Sequence, residues 1–296
     1  MKLIVSIFLF VISLQSFACD GCNISTGLVN SDPVDYLSIK YRNVYYSGEQ
    51  MPFFRHTGEG GALAETYRSY DLIGKYFFHR RFYVQGLLSI SDIKIESYEL
   101  DTNISGLSDP VLLLGYQNIA VFEKWQLTYN FLGGLDFGIG EYDVSMPNDV
   151  DFIEFAPGSK SSDLLIGAEF MAKFKKVGIL YKSNLKVGLL NNDKYRFGQV
   201  INSSFATAYY HEREKLMYVP YIGITYENDL RDQSNELDVL NSSSKVLYGD
   251  LGVNLFFNKK ILLGGKYQFR LYKDVPGWKS LDISGFEMEL TYVFGM

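Results

Sequence analysis

The sequence predicts an all-β chain: an up-and-down antiparallel transmembrane β-barrel of about 12 strands, with short periplasmic turns and long extracellular loops. Three observations carry this. From residue 36 onward, runs of about ten residues alternate apolar and polar side chains with a period of two, and helical periodicity is scarcely found. Short and long connections alternate strictly, as in a meander whose hairpin turns all lie at one end. Aromatic residues gather near the ends of the runs, at Tyr45-Tyr46, Tyr76-Phe77-Phe78, Tyr209-Tyr210 and Phe256-Phe257, as the two interfacial girdles of a lipid-embedded barrel require.

Composition narrows the alternatives. The 296 residues are 47% hydrophobic, 16% aromatic and 21% charged, with 23 Tyr and 22 Phe, which excludes intrinsic disorder. A formal charge of −6 argues against a nucleic-acid partner, whose phosphates call for clustered Lys and Arg. Mean hydropathy is −0.03. No apolar run of about 18 residues occurs beyond the first twenty, so the chain is not a bundle of membrane helices.

The amino terminus reads as a secretory signal over residues 1–18: Lys2 as the positive head, an apolar stretch from Leu3 to Leu14, and a small-x-small end at Ser16-Phe17-Ala18. A periplasmic segment, 19–35, follows with Cys19-Asp20-Gly21-Cys22, and the barrel occupies 36–296. In an oxidising compartment the two cysteines serve as a local disulfide, or Cys19 serves as a lipid anchor; two thiols alone do not make a metal site.

Twelve strands are expected at 36–46, 67–78, 81–91, 107–118, 125–138, 163–174, 177–189, 197–209, 216–227, 246–257, 261–272 and 284–295. Each is close to the roughly 9–11 residues that carry a tilted strand across a bilayer. Long polar connections are expected at 47–66, 92–106, 139–162, 190–196, 228–245 and 273–283. The faces separate cleanly. In the last strand Phe286, Met288, Leu290, Tyr292 and Phe294 oppose Glu287, Glu289, Thr291 and Val293. A soluble sandwich also alternates, but its strands are shorter and its connections do not sort by end. Closing the sheet removes the edges that hydrocarbon does not tolerate.

If the apolar set faces lipid, the interior is lined by Lys40, Arg42, Asp71, Lys75, Asp109, Asp136, Glu169, Lys173, Lys182, Lys186, Lys266, Arg270, Glu287 and Glu289. These are eight cations and six anions. They either neutralise one another as packing or line a narrow conduit for a small polar or amphipathic solute; twelve strands fall between side-chain-filled and open barrels. Acidic loop residues Asp143, Asp149, Asp151, Glu154, Asp229, Asp232, Glu236 and Asp238 would form an outer rim attractive to cations. No enzyme is expected: His79 and His211 fall in short turns, and His56 lies in a long loop beside Arg55 without a partner at recognisable spacing. No cofactor and no metal are expected either.

Ser105-Gly106-Leu107-Ser108-Asp109-Pro110, leading into Val111 to Tyr116, and the Trp125 to Gly140 strand that ends in glycines, resemble the outer-membrane transporter-like family known as the MetA pathway of phenol degradation. Ser108 stands where that family carries a second Gly, and Phe137 to Gly140 replace a Pro-Thr-Gly-like end. The Cys19 start and Tyr70 to Tyr76, followed by a basic turn, are similar to Bacteroidetes-type relatives. The resemblance implies a barrel that passes small, often hydrophobic, compounds, and it supplies no catalytic residues.

The expectation is therefore a porin-like outer-membrane channel or transporter of a Gram-negative bacterium, passing a small hydrophobic or amphipathic solute passively. Its partners would be outer-membrane lipid, that solute, and the barrel-assembly machinery through the C-terminal strand. The alternative is a non-conducting barrel whose long loops or N-terminal segment bind a partner.

Overall fold

A computed structural model describes residues 34–50, 62–97, 101–141, 156–191, 194–239, 242–276 and 278–294. The signal segment, Cys19, Cys22, His56, Asp143, Asp149, Asp151 and Glu154 lie outside them.

The chain is all β. Its elements are β1 (Asp35–Gln50), β2 (Ala62–Phe77), β3 (Phe82–Ser97), β4 (Asp101–Leu107), β5 (Val111–Val121), β6 (Gln126–Asp136), β7 (Asp163–Phe174), β8 (Val177–Val187) and β9 (Tyr195–Arg196). There follow β10 (Val200–Tyr209), β11 (His211–Arg213), β12 (Leu216–Asp229), β13 (Gln233–Ser234), β14 (Leu237–Asp238), β15 (Ser244–Phe257), β16 (Ile261–Asp274) and β17 (Trp278–Phe294). Because β4 and β5 both pair with β3, they form one stave broken at residues 108–110. Twelve antiparallel staves result, and β17 returns to pair with β1 from Asp35↔Phe294 to Gln50↔Trp278. The barrel is closed. The small strands β9, β13 and β14 make a separate three-stranded sheet on the loop side.

Closure fits the outward surface. On β17 the side chains of Phe286, Met288, Leu290, Tyr292 and Phe294 are all exposed, as are Phe82, Leu88 and Ile90 on β3. Leaving such side chains in water forgoes about 1.5–3 kcal/mol each. The belt covers about the span that crosses a hydrocarbon layer, and lipid is the medium that wets it.

The staves reach farther on the loop side than the alternation of the belt predicts. β3 runs to Ser97 and β4 starts at Asp101, while β16 runs to Asp274 and β17 starts at Trp278. The expected long connections at 92–106 and 273–283 are therefore mostly hairpin. The cause is a change of face. Within the belt, Leu88 and Ile90 point outward with Ser89 inward; beyond it Ile93 and Ile95 are buried inside, and Asp92, Lys94 and Glu96 take the outer positions. Outside the bilayer the outer face meets water, so the apolar set moves to the interior.

The strand-end aromatics also divide. Tyr209 is exposed to lipid and Tyr210 is buried; Phe257 is exposed and Phe256 is buried; Tyr76 and Phe78 face out while Phe77 does not. Neighbouring residues of a strand point to opposite faces, so only part of each cluster belongs to the girdle. The inward members pack into the turn end of the barrel, where Ala208, Tyr210, Val219, Phe256 and Leu262 form one apolar cluster. Val34, Tyr36, Ile73 and Val293 form another.

Candidate functional site

The interior is layered. Above the apolar clusters at the turn end lies a belt of paired charges, with Lys40 and Lys182 almost fully buried, at 1% and 4% exposure. Register places Lys40 beside both Asp71 and Glu289, and Arg42 beside Glu287. Glu287 forms ion pairs with Lys266 at 2.8 Å and with Lys40 at 3.4 Å. Glu289 accepts from Ser38 and Thr291 at 2.8 and 2.7 Å, and Asp71 accepts from Ser89 at 2.6 Å. Across the barrel Lys182 approaches Glu169 to 3.6 Å. Asn130 donates to the other Glu169 oxygen at 3.0 Å and accepts from the Tyr83 hydroxyl at 2.8 Å. Lys75 donates to Gln117 at 2.9 Å and caps the Tyr83 ring at 3.9 Å. Burying a charge is costly unless it is paired and hydrogen-bonded; ion pairs hold Lys40, Lys182, Lys266 and Glu287, and hydrogen bonds hold Asp71, Glu169, Glu289 and Lys75.

Lys186 holds a second cluster, donating to Asp136 at 2.7 Å and standing 2.9 Å from Asp163. Ser161 and the backbone N–H of Leu189 donate to the other Asp163 oxygen at 2.6 and 3.1 Å. Asp163 is fully buried and was absent from the expected lining, although it shares its parity with Glu169. Asp250 was likewise missed. It accepts from Thr225 at 2.5 Å and from Gln268 at 2.7 Å, on the same face as Asn254.

The remaining candidates sit differently. Asp109 lies in the break between β4 and β5, and its carboxylate receives the backbone N–H of Gly140 at 2.7 Å and both the N–H and hydroxyl of Ser159 at 2.7 and 2.6 Å. It ties the ends of the 137–162 connection to the barrel wall. The two ends approach closely: a Cβ on Gly158 would lie 2.5 Å from the carbonyl carbon of Gly140. Arg270 sits where the β15–β16 register shifts and pairs at 2.8 Å with Asp282, whose side chain is 82% exposed. Lys173 lies over the Tyr210 ring at 4.5 Å. Of the acidic loop residues, Asp232 accepts from Tyr195 and the Gly198 N–H at 2.5 and 2.6 Å, Asp229 accepts from Ser244, and Asp238 accepts from Gln233 at 3.2 Å. Glu236 occupies a left-handed turn position, φ 68°.

Above the charged layers a cavity of about 440 Å³ occupies the loop-side half of the barrel. Its floor includes Arg42, Asp71, Asp136 and Lys186. On one side its upper wall is an apolar patch of Val44, Val246, Val275, Leu281 and Ile283, while Glu65, Arg68, Glu227, Asp229 and Asp232 line the rest of the loop-side rim, where Ile93 also lies, and the strap from Ala156 to Ser159 leans in. The change of face that lengthens the staves is what supplies this wall. Among the described residues, no cluster of His, Cys, Asp and Glu is arranged to hold a metal ion.

A closed antiparallel barrel with an apolar outer belt and a charged interior defines the class: this chain is an outer-membrane β-barrel. No protein-family model matches the sequence, and no curated protein matches it. Solved structures do share the fold. An outer membrane channel from Pseudomonas putida F1 aligns with a TM-score of 0.68 at 13% identity, over 92% of this chain and 100% of that one. The beta domain of the Bordetella autotransporter BrkA aligns with a TM-score of 0.53 at 10% identity, over 88% and 100%. At such identities the likeness is one of fold.

Proposed function

We propose that this barrel is an outer-membrane channel or transporter that admits a small solute with an apolar body and a polar end. One observation carries the reading: the loop-side cavity sets an apolar patch of Val44, Val246, Leu281 and Ile283 above a floor of paired charges, within a rim that also carries Glu65, Glu227 and Asp229. A solute entering from outside would place its hydrocarbon part against Val44, Leu281 and Ile283 and its polar part toward Arg42 and Lys186. Two further points support the assignment. The Pseudomonas putida protein of the same fold is described as an outer membrane channel, and the motif around Asp109 resembles a family that passes small, often hydrophobic, compounds.

Passage would then run along the hydrogen-bonded charges, which replace the solute's hydration as it moves toward the turn end. The expected result on reconstitution into a planar bilayer is discrete conductance steps, and joint neutralisation by Lys182→Gln and Glu289→Gln changes their size. The packed turn end, with Tyr83, Tyr210 and Phe256 buried together with the central lysines, favours a second reading in which the barrel binds its ligand without conducting. Silence in the bilayer for both the native and the neutralised protein selects that reading.

A further inference from the structure

We propose that the turn end of the barrel is a binding collar for the anionic phospholipid headgroups of the leaflet facing the periplasm. This is independent of what passes through the interior. Three of the short turns carry six cations and no carboxylate: Arg80-Arg81 between β2 and β3, Lys175-Lys176 between β7 and β8, and Lys259-Lys260 between β15 and β16. All six side chains are exposed. The turns at 122–125 and 210–215 balance three cations with three carboxylates. Lys259 lies 3.7 Å from Glu212, but both side chains are more than 60% exposed, and such a pair contributes little.

Position identifies the ligand. Each cation pair follows an exposed aromatic, Phe78, Phe174 or Phe257, by one or two residues. Interfacial aromatics mark the boundary between acyl chains and headgroups, so the cations stand at headgroup depth, where phosphate groups are. In the closed ring the three turns join the second and third, the sixth and seventh, and the tenth and eleventh staves, four staves apart. A soluble acidic protein would touch one sector of such a ring; a lipid annulus touches all of it.

Trp125 reports on the collar, because it stacks between Phe122 and Phe174 at centroid distances of 4.1 and 5.7 Å. The only other tryptophan is Trp278. In the full-length chain carrying Trp278→Phe, reconstituted in phosphatidylcholine vesicles, quenching of Trp125 by brominated phosphatidylglycerol is compared with quenching by brominated phosphatidylcholine. The expected result is a preference for the anionic lipid of roughly fivefold or more at low salt, falling toward unity near 1 M salt. It also falls toward unity when Lys124→Gln, Lys175→Gln and Lys176→Gln are combined. Equal quenching by the two lipids at low salt overturns the proposal and assigns the cations to a soluble acidic partner. A preference that survives both high salt and neutralisation overturns it as well.

Discussion

The carboxylate of Asp109 accepts both the backbone N–H and the hydroxyl of Ser159, fifty residues later in the chain, at 2.7 and 2.6 Å. Its other oxygen takes the N–H of Gly140. One side chain thus fixes both ends of the 137–162 connection, including the strap that borders the cavity.

Replacing Asp109 with Ala removes three hydrogen bonds to a charged acceptor, each contributing about 1.5–3 kcal/mol. Local release of the strap is expected without loss of the barrel. Limited proteolysis of the reconstituted protein should cut within 137–162 at least tenfold faster than in the native chain, while heat-modifiable migration on gels stays unchanged.

The Lys186→Met change leaves the Asp136 and Asp163 carboxylates buried without their shared cation. Breaking a buried pair in this way costs about 3–5 kcal/mol, so the urea midpoint of the folded barrel should fall substantially. Adding Asp136→Asn and Asp163→Asn should recover most of the loss, because the surviving partners are then neutral. Equal instability of the single and triple variants would assign the cost to lost packing.

Tyr83 is fully buried and faces Gly115; a Cβ on that glycine would lie 2.0 Å from the tyrosine ring. Gly115→Ala should therefore displace the ring and break its hydrogen bond to Asn130. Tyr83→Ala opens space at the turn end, and combined with Tyr210→Ala it should raise single-channel conductance severalfold. An unchanged conductance would show that the narrow point lies among the central charges.

Leu290 occupies the middle of the outward series on β17. Leu290→Arg is expected to cost about 2–4 kcal/mol of folding free energy in bilayers, the value for a cation near the midplane of a lipid-facing strand. The same change at Ser284, beyond the belt, should cost under about 1 kcal/mol. Denaturant titration in vesicles gives the comparison.

The staves were legible because each faces two different media, which imposes a strict period of two. The sequence ranges for the sixth and seventh strands, 163–174 and 177–189, coincide with β7 and β8 to within a few residues. Legibility ends where the medium changes. Between Ile90 and Ile93 the apolar positions move from the outer to the inner face, and a reading that follows one face takes that point as the end of the strand. The same limit explains the tyrosines. Tyr209 and Tyr210 are alike as letters, and only their alternation sends one to lipid and the other to the interior.

The charged interior was readable by parity, yet its partners were not. Asp163 could have been found, since it is in phase with Glu169. That Lys186 would lie between Asp136 and Asp163 depends on the register of three strands, which the sequence does not print. Asp109 was expected among the interior charges on its residue type. Its role as a strap anchor required residues 109, 140 and 159 to meet in space.

Thiol labelling along β3 tests the central claim most directly, that the belt is wetted by lipid and the cavity by water. In reconstituted protein with Cys19 and Cys22 replaced by Ser, single cysteines at Ser89 and Ser91, which line the cavity, should react with a water-soluble maleimide. Cysteines at Leu88 and Ile90 should react only with a lipid-soluble one. If positions 88 and 90 are labelled from water as readily as 89 and 91, the outer face of the barrel is not in lipid and the account fails.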